Sequence, residues 1–426
     1  MRYQPFFRLF TIGLLVTFVL VSCAPETSSI PRVKWLSPAE GTWFQAGDTA
    51  SLEFEIFSEA EVAFTVALIN AQNTPVAYAL ERFGKGVIQV DYAIPQALQG
   101  SGSTYYFRVR CGAVSGFREV NISMRQRQFK EWAVVTNSVQ NEHELWTVSP
   151  TEVALRASFQ GDLSGVAVAG ETAICAFRDG GLSAYSTDGD GLMWSVNNGP
   201  SLLGKEYMAI ASGDDGVVAS HADGRLLKYN EQGQLLLEQL AFENRYASLL
   251  QASETGLFAC VVPRMGQSGL PGIEMRSSHQ LIYLGGTFLG AEVQKIVPMT
   301  SERIYLFWND LGAAQFASYK PSEQGLESFY SLPSEPFVDA FQVDANSVWI
   351  SLESGIYVHR YNPAHFGQVV PSSSHPWHAL AAEPINGYLA AANARVFNSF
   401  NAAGQQLEEH VFQDTITHII PIYTYE

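Results

Sequence analysis

Apolar and polar positions change places in short bursts along Tyr207–Leu240, YMAIASGDDGVVASHADGRLLKYNEQGQLLLEQL. Four apolar runs of strand length are separated by GDDG, HADG and EQG, and runs bounded in this way predict four strands joined by tight turns. Such a unit has two apolar faces and cannot bury either alone, so the pattern predicts neighbours of the same kind.

The neighbours are present. Second-strand runs start at Trp132 (WAVVTN), Ile174 (ICAF), Val217 (VVAS), Leu257 (LFACVV), Ile304 (IYLFW), Val348 (VWISL) and Tyr388 (YLAAAN), at spacings of 42, 43, 40, 47, 44 and 40 residues. Third strands follow at Leu182, Leu226, Ile356 and Val396, and fourth strands in LMWSV, LLLEQL, LIYLGG and LEEHVF. Inner strands precede the second strands as GVAVA, YMAIA, YASLL, VQKIV, VDAFQV and WHALAA, but none precedes Trp132. The missing one is read at the other end of the chain, in Ile416–Tyr423 (ITHIIPIY), which predicts that the last strand joins the first unit and closes a ring. The fold expected for residues 126–426 is therefore a seven-bladed β-propeller closed by the C-terminal strand.

Residues 32–125 have a different rhythm. KWLSPAEGTWFQAGDTASLEFEI alternates apolar and polar positions, VAFTVALI, GVIQVDYAI and STYYFRVR follow, and about seven short strands in fewer than a hundred residues predict an immunoglobulin-like sandwich. Alternation places one of Tyr105 and Tyr106 in its core and the other on its surface. ISMRQRQFKE, residues 122–131, is polar and basic and reads as the linker between the two domains. No stretch of helical spacing lasts beyond a few turns, so the chain as a whole is expected to be all-β.

The N-terminus changes the picture from fold to address. Arg2 and Arg8 precede or flank the apolar run Leu9–Val21, which is too short for a stable membrane span and has the form of a secretory signal over residues 1–22. Its end, Leu20-Val21-Ser22-Cys23, resembles the lipobox of bacterial lipoproteins. That resemblance implies cleavage before Cys23, a diacylglycerol on its sulfur and an acyl chain on its nitrogen, a combination that anchors stably where one chain holds only marginally. Residues 23–31 are then the lipidated cysteine and a short tether. Ala24 in place of Asp, by resemblance to enterobacterial sorting, implies the outer membrane of a bacterial envelope.

Composition sharpens the choice of partners. The chain of 426 residues carries 25 Lys and Arg against 42 Asp and Glu; without residues 1–22 it keeps 23 basic side chains, a net charge of −19. So acidic a surface argues against nucleic acid or anionic headgroups as partners and leaves the lipid to hold the protein at the membrane. Cys111, Cys175 and Cys260 lie too far apart in the expected fold to bridge and read as small buried apolar residues.

Further resemblances are to folds. SPAEGTWFQAGD with IPQALQGSGSTYYFRVR is similar to the Ig-like domains of the Kre9-like family of microbial surface proteins, which implies a spacer. FRDGGLSAYSTDGDGLMWSV resembles the repeats of quinoprotein-like and WD40/YVTN-type propellers over about 300 residues. The departures matter: no regular Trp-Asp or Gly-His pair recurs, the repeated tryptophan occurs only at Trp194, and no CxxCH is present, so no quinone, heme or other cofactor is implied.

Candidate chemistry is sparse. Asp188-Gly-Asp190-Gly could open a calcium loop, but its D-x-D-x-D-G spacing is incomplete and a hairpin turn explains it. Gly213-Asp214-Asp215-Gly216 has the same reading. His375 and His378 form the one local histidine pair, which loop solvation explains without a metal, and neither GxSxG, a P-loop nor HExxH occurs. Two function classes follow: a lipid-anchored, non-enzymatic binding or scaffold protein for a protein or glycan, similar in logic to the lipoprotein propellers that assist outer-membrane barrel assembly, or an extracytoplasmic glycan hydrolase or lyase. Either would use the end of the ring where outer strands pass to the next inner strand and second strands turn into third. That end holds Lys205, Glu206, Arg245, Glu292, Trp377 and His378 from the first kind of loop. Arg178, His221, Asp223, Arg264, Asp310 and Glu353 come from the second.

Overall fold

The computed structural model describes residues 30–71, 73, 75–95, 104–123, 127–138, 141–189, 191–197, 206–213, 216–253, 256–264, 266–277, 280–371, 376–383, 385–401 and 403–425. Cys23, Lys205 and His375 lie outside them.

The first unit has eight strands among the described residues, one more than the sequence rhythm suggested. Three form one sheet, in the order Arg32–Ser37, Thr49–Phe57, Gly86–Ala93, and five form a second, in the order Thr42–Gln45, Val114–Ser123, Thr104–Cys111, Val62–Ile69, Pro75–Gly84. The inward residues of both sheets share one core, in which Trp35, Phe54 and Phe64 meet edge to face at 5.4 and 5.5 Å and Tyr92 meets Phe107 at 5.3 Å. Such T-shaped pairs set the positive ring edge on the negative ring face. Tyr105 points into this core, while Tyr106 faces outward and its hydroxyl donates to Glu119 Oε2 at 3.3 Å.

Residues 127–425 form seven four-stranded antiparallel sheets among the described residues. The second strands are buried along their length, as in Thr172–Phe177, Gly216–His221 and Ser347–Leu352, because both faces of each sheet pack on a neighbour. Outer strands such as Leu192–Asn197 and Gln406–Val411 are largely open to water. The inner strands Leu163–Ala169, Tyr207–Gly213, Arg245–Ser253, Lys295–Thr300, Phe337–Asp344, Ala379–Glu383 and Thr415–Tyr425 neighbour one another in that order, and the last neighbours the first.

Between the last sheet and the first, Ala379, Ala381, Ala390 and Ala392 of the last sheet meet the larger Ile416, Ile419, Trp132 and Val134 of the first. Farther out the gap takes Phe397, Phe412 and Trp146. Adjacent sheets also lock through turns: Trp194 Nε1 donates to Glu231 O of the next sheet at 2.7 Å, and its ring lies where a Cβ on Gly233 would come within 2.5 Å. Gly233 has φ +76, so the turn needs glycine twice over, for its left-handed backbone and for the space the indole takes.

The ring closes as the sequence predicts. Thr415–Tyr425 pairs with Arg127–Asn137, from Thr415 opposite Asn137 to Tyr425 opposite Arg127. This register corrects the reading of residues 122–131 as a linker. Ile122 and Ser123 finish the first unit, and Arg127–Glu131 already belong to the first sheet of the ring; their polar look comes from a strand end whose partners are Ile422, Tyr423 and Thr424.

Deleting 415–426 removes four buried side chains, Ile416, Ile419, Ile422 and Tyr423. At roughly 1.5–3 kcal/mol each, their loss is comparable with the whole stability of a domain, about 5–15 kcal/mol. The truncated protein should aggregate or melt at a far lower temperature; an unchanged Tm in a thermal scan would refute the closure.

Candidate functional site

Each sheet of the ring sends its first-to-second and third-to-fourth turns to one end, and its second-to-third turns and outgoing connections to the other. The latter end gathers Glu206, Arg245, Glu292, Trp377 and His378 with Arg178, His221, Asp223, Arg264, Asp310 and Glu353. The side chains differ sharply in how free they are.

Arg178 is more than half exposed, with Asp162 Oδ2 3.9 Å from its Nη1. It also opposes the upward push on the Tyr246 phenol, which comes first from burial and then from Glu292. Arg178, Tyr246 and Glu292, at this end of the ring, thus feel one another's charge. Asp223 shapes its own turn: Oδ1 accepts the Arg225 amide at 3.0 Å, and Arg225 Nε lies 3.3 Å from Oδ2. His221 is buried, with its ring edge-on to Tyr207 at 4.4 Å. Glu206 is half-buried, and its carbonyl accepts the Ala222 amide at 2.9 Å. Asp310 and Glu353 are exposed.

Arg245, Trp377 and His378 have structural work instead. Arg245 Nη2 binds Glu274 Oε1 at 2.8 Å, and Arg276 Nη2 binds Oε2 of the same buried carboxylate at 2.9 Å. Trp377 is buried against Phe400, donates to Pro371 O at 3.4 Å and accepts Ser351 Oγ at its carbonyl. His378 Nδ1 accepts the Ala394 amide at 3.3 Å, which leaves the proton on Nε2 to donate to Ile416 O at 2.5 Å. That imidazole ties the last sheet to the closing strand.

Asp188 sits in the hairpin turn between Gly181–Ser186 and Leu192–Asn197, as the sequence suggests, while Asp190 lies outside the described residues. The Asp188 carboxylate binds Lys130, whose Nζ also lies 3.3 Å from Glu171 Oε1, so this turn holds the first sheet to the second. Among the described residues no group of three or more His, Cys, Asp or Glu is placed to hold a metal. Cys111, Cys175 and Cys260 are buried free thiols, and burial pushes all three up.

Sequence reasoning passed over three residues on the inner strands. Lys295 Nζ binds Asp339 Oδ1 at 2.7 Å across two sheets, while Asp339 Oδ1 accepts the Ala340 amide and Oδ2 the Leu380 amide, both at 2.8 Å. His418, from the closing strand, is pushed down to about 4, first by burial, then by Lys295 and His143, with Asp339 opposing. Its Nδ1 lies 3.0 Å from Thr417 Oγ1. The signal was partly legible: Lys295, Asp339 and His418 are titratable side chains in VQKIV, VDAFQV and ITHIIPIY.

A closed ring of four-stranded antiparallel sheets, with the first strand of each lining the axis, is a β-propeller. No protein-family model matches the chain, and no curated protein matches it. Among solved structures it is similar to the Dos1 propeller, at TM-score 0.49 and 10% identity over 69% of this chain and 88% of that one. It is also similar to the propeller domain of Cps50 (Swd1) from Myceliophteria thermophila, at 0.47 and 9% over 62% and 90%. A third, BamB from Moraxella catarrhalis, gives 0.42 and 12% over 71% and 98%. Likenesses this distant decide nothing about activity, and the fold assignment stands on the ring itself.

Two outcomes follow. His378→Ala strips the Ala394 amide and the Ile416 carbonyl of their partner and should destabilise the protein by about 1–3 kcal/mol, read as a lower midpoint in urea. The folded protein holds His418 neutral, below its unfolded value of about 6.5. Stability from this group is therefore complete above pH 6.5 and is lost as pH falls toward about 4. The fall from 6.5 to about 4 corresponds to at most about 3.4 kcal/mol. His418→Gln should flatten the fall of Tm between pH 6.5 and 4, and parallel curves would show that His418 does not control it.

Proposed function

We propose that the protein is a lipid-anchored binding or scaffold protein of a bacterial envelope. In this reading residues 1–22 are a signal peptide, Cys23 carries the lipid, the first unit is an Ig-like spacer and the seven four-stranded sheets are the blades of one seven-bladed propeller. Its partner is a protein or a glycan, met at the end of the ring that holds Arg178, Glu292, Asp310 and Glu353.

The observation that carries the proposal is where the first unit touches the ring. Leu236 packs on the core of the first unit. A cavity of about 700 Å³ lies between Ala79–Arg82 and Gln234–Glu238, Gln280 and Ile282. These ring residues sit at third-to-fourth-strand turns and the fourth strands leading from them, the rim opposite the candidate loops. The candidate end is thus free of the protein's own first unit, and its side chains are of both signs although the chain is strongly acidic.

Asp339 itself is not available as the acid or base of a glycosidase. A glycosidase needs a carboxyl group free to exchange a proton beside a second carboxylate. Both oxygens of Asp339, the carboxylate on the inner strands near the mouth, are held by Lys295 and two backbone amides.

The anchor is tested by Cys23→Ser, which removes the thioether and with it the substrate of the lipoprotein signal peptidase. The variant should accumulate as unprocessed or soluble protein; recovery in the membrane fraction at wild-type level after a high-salt wash would sink the anchor. The face is tested with Arg178→Ala and Glu292→Ala together, both outside the packing of the ring. Capture of a partner from envelope extracts should fall at least tenfold with Tm unchanged, and equal capture would show that the face is wrongly assigned.

A further inference from the structure

One end of the first unit is dressed unlike the rest of the protein. There the chain enters at Ile30, the turn after Phe57 leads to Val62, and the hairpin at Lys85 joins the two sheets. Lys85 Nζ donates to Glu59 O at 3.0 Å, so the two turns touch, and a groove lined by Ile30, Arg32, Lys34 and Phe57 places the entering chain beside them. Four large apolar side chains stand out from this end: Ile30 is 72% exposed, Phe57 46%, Phe83 78% and Val87 58%. A soluble surface rarely groups such residues without a partner.

Charge is balanced here, unlike elsewhere. Arg32, Lys34, Arg82 and Lys85 stand at this end with four acids, Glu55 opposite Lys34 and Val87, Glu59, Glu61 and Glu81. The mature chain as a whole has nearly twice as many acids as bases. Aromatic and aliphatic side chains with Lys and Arg among them suit the boundary between acyl chains and phosphate headgroups, where the apolar parts enter and the cations stay with phosphate.

The position of this end says which occupant to expect. Seven residue steps separate Cys23 from Ile30, a reach of at most about 25 Å. The chain leaves the first unit at Ser123, at the end where Ala46 pairs with it and Gly47 with Ile94, opposite the Gly86 hairpin. We propose that the Ile30, Phe57, Phe83 and Val87 end is a second membrane contact, which lies on an anionic lipid surface and fixes the orientation of the protein that the lipid holds. This deepens the lipid-anchor reading and rests on it, since the tether is what brings this end to the bilayer.

The test uses the processed chain without its lipid, residues 24–426, so that its result does not depend on whether Cys23 is modified. It is floated with vesicles of phosphatidylethanolamine and phosphatidylglycerol at 3:1. The parent chain should float with the vesicles. Phe57→Ser with Phe83→Ser should lower the partition coefficient at least tenfold at unchanged Tm, and Trp43→Ser, an exposed aromatic at the other end of the unit, should leave it as it was. A parent chain that stays with the free protein, or a double variant that floats equally well, overturns the proposal. So does a parent that sediments as a dimer and becomes monomeric in the double variant, because the patch would then be covered by a second copy.

Discussion

Everything in the larger unit depends on the pairing of Thr415–Tyr425 with Arg127–Asn137, strands nearly three hundred residues apart. A row of sheets with unmatched ends would leave the inner face of its first sheet and the outer face of its last to water. The closing strand removes both faces at once, since it completes the first sheet and neighbours the inner strands of the second and the last. The constraint explains why Ile416 and Ile419 of the closing strand pack on the alanines of the last sheet. It also explains why His378 is bound on both nitrogens at the seam.

The same closure decides which polar groups can be functional. Arg245 and His378 look from the sequence like free members of a loop face, yet Arg245 is held by Glu274 of its own sheet and His378 ties the last sheet to the first. Arg178 and Glu292 are exposed in connections that the ring already fixes, so they can change partners without opening it. Lys295 and Asp339 pair across neighbouring inner strands, and His418 of the closing strand feels the charge of both.

The strands were legible because their turns are marked by glycine and aspartate and their lengths are uniform. The closing strand was legible because one inner strand was missing at one end of the chain and one was left over at the other. What could not be read was side-chain direction at sheet ends. Trp377 and His378 share a loop sequence with ordinary solvated residues, and only the position of Pro371, Ala394 and Ile416 turns them inward. The polar residues Arg127–Glu131 looked like a linker for the same reason, since their partners come from the far end of the chain.

Physical sidedness ties the two units together. The first unit takes in the chain at Ile30 and releases it at its other end at Ser123, and it meets the ring at the rim away from the candidate loops. Its entering end carries exposed apolar side chains with as many bases as acids, whereas the chain as a whole is acidic. An anionic surface would therefore repel that end least. With that end down, the mixed-charge mouth of the propeller is turned from the first unit, and its loops remain open to a partner.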